Sequence, residues 1–432
     1  MNERMKKSDI RYQTYLNILK EELIPATGCT EPIALAYAAA KAHEVLGQMP
    51  DKVLLQVSGS IIKNVKSVVV PHTGHLKGIA AAAAAGIIAG KSEKELEVLS
   101  NVSEKDQKNI WNFLNTTPVT VEHIDNGHIF DIVVTEYCND MYARIRICDY
   151  HTNIVLIEKN NHVIWKAAEY DQTDKKDQRA DRALLNMEGI WNFSCSVEIS
   201  DIKDIFDRQI QYNTAISEEG LKDNYGANIG SVLLKAYGDG INIRARAKAA
   251  AGSDARMNGC EMPVIINSGS GNQGITCSVP VIEFANELHV DKEKLYRALV
   301  LSNLTAIHEK TGIGTLSAFC GAVSAGAGAG AAIAYLRGAD YKGVVHTVVN
   351  ALAIVSGIVC DGAKASCAAK IASSIDAGIL GYDMYLEGQE FKCGDGIVMK
   401  NVESTINGIG VLSRDGMKET NEEIIHIMLN NC

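Results

Sequence analysis

A stretch without any charged side chain extends from Thr311 to Leu336, and its middle consists of glycine, alanine and serine. The stretch is long enough to cross a bilayer, but small residues gain little free energy on transfer into lipid. Gly326 and Gly330 lie about one helical turn apart, on a face that a neighbouring backbone can approach closely. The stretch therefore predicts a tightly packed helix inside a globular protein, and we expect no membrane span.

The rest of the chain favours helices with one β-rich segment. Only 7 of its 432 residues are proline, which leaves room for long helices. Between Val119 and Trp165, short β-branched runs alternate with turn residues, and Asn126-Gly127 and Asn160-Asn161 are typical of hairpin turns. We predict an α+β fold that is mostly α-helical, with a smaller antiparallel β-containing insert. The predicted division is a helical part at 1–115, the insert at 116–180 and a second helical part at 181–432.

Composition restricts the partners and the compartment. The net charge is −10 and no basic cluster is interleaved with aromatic residues, so nucleic acid is not an expected partner. The first residues, MNERMKKSDIRYQ, have no apolar core, so no secretory signal is expected and the predicted location is cytoplasmic. In such a reducing compartment the eleven cysteines are thiols, metal ligands or catalytic groups rather than disulfides.

One of these cysteines lies where a helix is expected to begin. Cys29 belongs to the sequence TGCTEP at 27–32, in which Thr30 can cap the helix and Pro32 suits its first turn. The helix dipole favours a thiolate at this position, and a thiolate can act as nucleophile, base or metal ligand. From position alone, an inert buried cysteine is an equal alternative.

Three further cysteines lie in the glycine- and alanine-rich C-terminal half: Cys320, Cys360 and Cys367. Three thiolates with an open fourth position suit a catalytic zinc ion or a [4Fe–4S] cluster with one exposed iron. The spacing matches neither the usual zinc pattern nor the ferredoxin pattern, so three buried structural cysteines are the alternative.

A glycine-rich segment at 269–274, GSGNQG, formally matches the dinucleotide-binding pattern. Pro280 follows closely and argues against the long helix that such a fold needs. Ser268, Ser270 and Asn272 could instead form a cradle with backbone N–H groups for a small carboxylate. A simple tight turn is the third interpretation.

Taken together, four separated motifs resemble one known family. They are TGCTEP at 27–32, VPHTG at 70–74, NSGSGNQGIT at 267–276, and CDG at 360–362 followed by Cys367. In this order they resemble the L-cysteine desulfidase family, which is related to the α chain of iron–sulfur L-serine dehydratases. The resemblance extends over essentially the whole chain.

The resemblance implies an oxygen-sensitive [4Fe–4S] enzyme that converts L-cysteine and water to pyruvate, ammonia and sulfide without pyridoxal phosphate. By this resemblance Cys320, Cys360 and Cys367 are the three cluster ligands, and Cys29 is the active-site thiol. The helical parts would then form the catalytic domain, with 181–432 binding the cluster.

The remaining site assignments concern a small-molecule amino-acid substrate. We expect the loop with Ser268, Ser270 and Asn272 to hold its carboxylate. Further substrate-binding candidates are Thr30, Glu31, Thr73 and Asn303.

Several alternatives stay open at this stage. L-Serine can replace L-cysteine as substrate, zinc can replace iron, and a non-catalytic cysteine or redox sensor can use the same cluster. Cys29 is either the general base or a fourth iron ligand, and the terminal Cys432 is either a cap on that iron or an exposed thiol. A homodimer is the default expectation.

Overall fold

The computed structural model describes residues 5–167, 179–314 and 316–430. Cys432 lies outside these described residues. The helices are α1 Ile10–Glu22, α2 Thr30–Leu46, α3 Gly59–Val65, α4 Ile79–Ala89, α5 Glu104–Thr116, α6 Met187–Ser196, α7 Ile199–Lys222, α8 Ile229–Tyr237, α9 Ile241–Met257, α10 Gly271–Glu287, α11 Lys292–Ile313, α12 Gly321–Leu336, α13 Tyr341–Val355, α14 Ser366–Leu386, α15 Val402–Val411 and α16 Lys418–Asn430. The strands are β1 Pro25–Thr27, β2 Lys52–Ser58, β3 Val119–Ile124, β4 Asp131–Cys138, β5 Met141–Cys148, β6 Ile154–Lys159, β7 His162–Lys166 and β8 Pro263–Ile265. The predicted α+β, mostly helical class is confirmed.

The larger sheet has six strands in the order β3-β2-β4-β5-β6-β7. The predicted turn at Asn160-Asn161 joins β6 to β7, and both residues have the positive φ angles, 49° and 64°, that such a turn needs. The predicted hairpin at Asn126-Gly127 is wrong. Strand β2 lies between β3 and β4, pairing parallel with one and antiparallel with the other, so the sheet is mixed and includes a strand that precedes the predicted insert.

The valine-rich run at 66–70 also predicts a strand, and this strand does not form. Helix α3 extends to Val65, and the segment that follows has a single bridge, from Val69 to Lys77. Val68 is fully buried in an apolar cluster with Cys29 and Met257. Its β-branched side chain therefore serves core packing near a helix start rather than a sheet.

The tightly packed helix predicted from the uncharged stretch is α12. A Cβ atom at Gly326 would lie 2.6 Å from backbone atoms of Ser374, and one at Gly330 would lie 2.6 Å from the Cα of Gly378. Glycine at these positions lets the backbones of α12 and α14 touch, which is the close approach that the spacing predicts. Along the described ranges, no helix has the length and apolar character needed to cross a membrane.

A second, two-stranded sheet connects distant parts of the sequence. Strand β1 pairs antiparallel with β8, Pro25 opposite Ile265 and Thr27 opposite Pro263. This pairing brings the start of α2, where Cys29 lies, beside the loop at 268–270 and the start of α10. Helix α10 continues through Pro280, so the expectation that no long helix follows this loop is wrong. The strand before the loop is nevertheless paired antiparallel, unlike the parallel unit of a dinucleotide-binding fold.

Candidate active site

Cys29 occupies the N-cap position of α2 with extended backbone angles, and its side chain is 1% exposed. Its Sγ lies 3.7 Å from the Sδ of Met257, at the end of α9. The prediction that Thr30 caps the helix is wrong: Thr30 is the first helical residue, and its hydroxyl donates to the carbonyl of Gly269 at 2.9 Å. This bond ties the beginning of α2 to the loop before α10.

The electrostatic surroundings of Cys29 differ from the expectation. Burial raises the pKa of its thiol to about 12, the Glu31 carboxylate raises this pKa as well, and the Arg256 guanidinium lowers it. The lowered pKa predicted from the helix dipole is therefore wrong for this structure. The helix begins inside the protein, where desolvation of a thiolate outweighs the dipole.

The loop before α10 is a tight, internally bonded turn. Asn267 and Ser270 exchange two backbone hydrogen bonds, and Ser268 adopts a positive φ of 49°. The hydroxyl of Ser268 donates to the side-chain oxygen of Asn267 at 2.9 Å, while the Ser270 hydroxyl caps α10. Asn272 accepts a hydrogen bond of 3.1 Å from Nη1 of Arg256. The three predicted polar residues thus lie together at the beginning of α10.

Arg256, in the last turn of α9, is a site residue that the sequence analysis missed. Its side chain is 3% exposed, and its Nε atom is buried without a hydrogen-bond partner. A Cβ atom at Gly271 would lie 2.1 Å from this Nε, so glycine there makes room for the guanidinium. A buried cation with an unused donor is costly unless an anion completes it. The available signal was an arginine three residues after the run of small residues at 249–253.

The β-rich part contributes His151, which the sequence analysis also missed. Its Nε2 lies 3.9 Å from Oε1 of Glu31, and its ring meets Phe130 edge-on. A Cβ at Gly269 would lie 3.2 Å from the histidine ring. Although burial favours the neutral form of Glu31, His151 and Arg256 hold its pKa below the ordinary value. Glu31 is therefore an anion at neutral pH, close to the Arg256 cation.

Two other predicted substrate ligands have different surroundings. Asn303 is fully buried beneath the loop, where its side-chain oxygen accepts from Asn267 at 2.9 Å and its amide donates to Gln209 at 3.0 Å. These bonds give it a role in positioning Asn267. Thr73 donates to the carbonyl of Val70 and borders a surface depression beside Trp111, and no described contact joins it to Cys29.

The three cysteines of the C-terminal half come together around two adjacent segments. The backbone N–H of Cys320 donates to Ile358 at 3.1 Å, and that of Cys360 donates to Ala318 at 2.6 Å. Cys367 lies in the first turn of α14. Burial raises the pKa of Cys320 to about 12, and the nearby Cys360 and Cys367 thiols raise it too. Cys367 in turn acts on the pKa of Cys29, so all four thiols belong to one electrostatic neighbourhood.

Lysine side chains surround these thiols. Lys63, 1% exposed, donates to Asn421 at 2.6 Å and to the carbonyl of Leu316 at 3.3 Å. Burial lowers the pKa of both Lys63 and Lys310, and neighbouring cysteines act against this effect. Such buried cations are stabilised by a negatively charged group.

Two more lysines hold the segment between Cys360 and Cys367. Both Lys364 and Lys370 form ion pairs with Asp361. Lys364 also donates to the carbonyl of Gly362, and Lys370 donates to that of Val359 at 2.8 Å. The thiols consequently lie in a positively charged setting, which suits an anionic thiolate-bound cluster.

The spacing of the thiols bears on which metal group they fit. Tetrahedral zinc holds its sulfur ligands about 3.8 Å apart. Within the described parts of the chain, Cys320, Cys360 and Cys367 do not form a group of three ligand atoms within 4.8 Å of one another. At least one pair of these sulfurs is therefore farther apart than a single tetrahedral zinc ion would hold them.

The fold and the site define a mostly helical protein in which a buried thiol lies beside a lysine-surrounded group of three cysteines. The family model of the serine dehydratase alpha chain matches residues 93–426, and the chain belongs to this family. The match includes the three cysteines and the loop before α10, whereas Cys29 precedes it. Membership implies a lyase-type enzyme and an association with iron–sulfur chemistry.

Similar proteins extend over nearly the whole chain. A UPF0597 protein of Desulfitobacterium hafniense is 60% identical over 99% of both chains. A UPF0597 protein of Lachnoclostridium phytofermentans is 51% identical over 97% of this chain and 100% of its own length. A UPF0597 protein of Treponema denticola is 45% identical over 98% of this chain and 99% of its own length. This similarity includes the N-terminal part with Cys29, which the family match leaves out.

Proposed function

We propose that the protein is an L-cysteine desulfidase that eliminates sulfide from L-cysteine and yields pyruvate and ammonia. The observation that carries the proposal is that Cys29 lies beside the loop before α10 and close enough to the group of three cysteines for Cys367 to act on its pKa. Cys320, Cys360 and Cys367 would hold a [4Fe–4S] cluster, whose open iron supplies Lewis-acid chemistry for a leaving thiolate when bound.

The charges next to Cys29 suit a free amino acid. Arg256 is a buried cation with an unused donor, complementary to an α-carboxylate. Glu31 is an ionised, largely buried carboxylate, complementary to an α-ammonium group. Asn272 holds the guanidinium from one side. The two opposite charges near the thiol thus favour a zwitterionic substrate.

The reaction requires removal of the Cα proton and cleavage of the Cβ–S bond. The electron pair released at Cα forms the carbon–carbon double bond, and the sulfur leaves with the bonding pair. The resulting aminoacrylate tautomerises and takes up water, giving pyruvate and ammonia. Cys29 would either accept the Cα proton or serve as a further ligand of the cluster when substrate is absent. Both roles need the thiolate, which burial disfavours and the nearby Arg256 cation favours.

L-Serine is the second candidate substrate, because the matching family is named for serine dehydratase. The two amino acids differ only in the leaving group, sulfur or oxygen. A soft metal site favours sulfur, which supports cysteine.

The test is to measure sulfide and pyruvate release from L-cysteine and L-serine, side by side, with anaerobically purified protein and no pyridoxal phosphate. We expect both products from cysteine and little pyruvate from serine. Pyruvate from serine alone would transfer the assignment to serine dehydratase. Binding of cysteine without any product, by iron-replete protein, would indicate a sensor instead of an enzyme.

A further inference from the structure

A second group of potential metal ligands lies at the edge of the six-stranded sheet, outside the site with Cys29. His128 precedes β4, Cys148 ends β5, and Asp149 follows it directly. The Sγ of Cys148 lies 3.2 Å from Nδ1 of His128 and 3.5 Å from Oδ1 of Asp149. The third separation, from Nδ1 of His128 to Oδ1 of Asp149, is 3.6 Å.

These separations can be compared with a tetrahedral zinc centre. Zinc bonds of about 2.3 Å to sulfur and about 2.05 Å to nitrogen or oxygen give ligand separations of roughly 3.3–3.6 Å. The three observed separations agree with these values to within about 0.4 Å. A zinc ion would therefore fit with no more than small adjustments of the side chains. The ion would lie about 0.7 Å above the plane of the three ligand atoms.

We propose that His128, Cys148 and Asp149 bind one zinc ion, with the fourth position open to water. The donor set is one nitrogen, one sulfur and one oxygen, which matches the borderline-soft character of zinc. His128 and Asp149 are partly exposed and give the ion access, whereas Cys148 is buried. The site differs in ligand type and position from the group of three cysteines.

Binding must remove the proton of the Cys148 thiol. Burial and the charge of Asp149 raise its pKa to about 12, so the metal-free protein carries a thiol there. A zinc ion replaces that proton, which goes to the solvent, and the Zn–S bond forms in its place. The other charged groups nearby are Asp131 and Arg146, which form an ion pair with a shortest distance of 2.6 Å.

The position of the ligands connects them to the candidate active site. Asp149 is two residues from His151, whose ring borders Gly269. A metal ion held by Cys148 and Asp149 would fix the turn that presents His151. The zinc site thus lies at the junction of the sheet and the helical part.

The test measures metal binding by full-length, chelator-treated protein in a Cys360→Ala background, which disables the other thiol group. The probes are zinc, by competition with a chromophoric chelator, and cobalt, whose thiolate charge-transfer absorption reports a Cys ligand. The variants are Cys148→Ser, His128→Ala and Asp149→Asn. Cys138→Ser is the matched control, because Cys138 ends the neighbouring strand β4 and, among the described residues, belongs to no group of three close ligand atoms.

We expect the parent and Cys138→Ser proteins to bind one zinc ion per chain. Each ligand variant should lose at least about 100-fold in affinity, since even outer-shell changes cost up to that factor. The cobalt band should vanish in Cys148→Ser. His128→Ala keeps the test valid if Cys148→Ser fails to fold, because His128 lies at the surface. Unchanged zinc affinity in His128→Ala, or equal loss in Cys138→Ser, would overturn the proposal.

Discussion

Replacing Gly362 by alanine should disturb the segment that joins two of the proposed cluster ligands. Gly362 follows Cys360 by two residues and has a φ of 92°, in the region that disfavours side chains. A Cβ atom there would lie 2.0 Å from the carbonyl oxygen of Lys63, a contact that forces one of the two backbones to move.

The magnitude follows from two contributions. The left-handed conformation costs a residue with a Cβ about 1–2 kcal/mol. Displacing the packed backbone costs about 1–3 kcal/mol more. Gly362→Ala should therefore destabilise this region by about 2–5 kcal/mol and shift Cys360 and Lys63 relative to each other.

The assay compares iron content after anaerobic reconstitution and the thermal unfolding midpoint with those of Gly338→Ala. Gly338 has a similar φ of 95°, but a Cβ there meets nothing within 4 Å. The control thus carries the conformational cost without the contact with Lys63. We expect Gly362→Ala to bind less iron and to unfold at a lower temperature than Gly338→Ala. Equal iron content and equal midpoints in the two variants would refute the reasoning.

Three further changes test separate parts of the account. Arg256→Gln should raise KM for L-cysteine about 10–100-fold in steady-state assays, because a charged hydrogen bond contributes about 1.5–3 kcal/mol. The control is Arg246→Gln, which removes a surface ion pair from the same helix and should change KM little. Thr30→Val removes the hydrogen bond to the loop before α10 and should lower the free energy of unfolding, measured by urea titration, by about 1 kcal/mol. An unchanged midpoint of urea unfolding would contradict this. Burial raises the pKa of Glu136 to about 6, so the native state binds the proton of this carboxyl more tightly than the unfolded state does. The stabilisation that comes from the protonated carboxyl is lost as pH rises through about 6. The difference in unfolding free energy between Glu136→Gln and wild type should therefore increase by about 2 kcal/mol, in favour of the variant, from about pH 4 to about pH 7. A constant difference across that range would show that the carboxyl does not titrate in this way.

The sequence predicted those features that depend on local patterns. The uncharged, glycine-rich stretch indicated the close packing of α12, because glycine spacing directly limits how near another backbone can come. Most strands of the β-rich segment were predicted from their β-branched runs, and Asn160-Asn161 from its tolerance of positive φ. These are properties of neighbouring residues.

The features that were missed depend on pairing across long distances. Strand β1 has three residues, too few to stand out from a loop, yet its pairing with β8 brings Cys29 to the loop before α10. Strand β2 enters the sheet between β3 and β4, which no local pattern indicates. The burial that raises the pKa of Cys29 likewise comes from Val68 and Met257, distant in sequence.

The sequence identified single site residues better than their partners. The cysteines were identified by residue type and resemblance, whereas Arg256 and His151 belong to no motif. Arg256 can be identified only once Gly271 is seen to make room for its guanidinium. His151 belongs to the β-rich segment, and its approach to Glu31 follows from the placement of the sheet against the helices.

The most direct test of the proposed chemistry compares sulfide release from L-cysteine by wild-type protein and Cys29→Ala, both handled anaerobically and matched in iron content. Cys29 is buried beside Arg256 and is not one of the three proposed cluster ligands. We predict that Cys29→Ala retains most of its iron and releases no sulfide, while the wild type releases sulfide and pyruvate in equal amounts. Full activity in Cys29→Ala, or no sulfide from iron-replete wild type, would contradict the account.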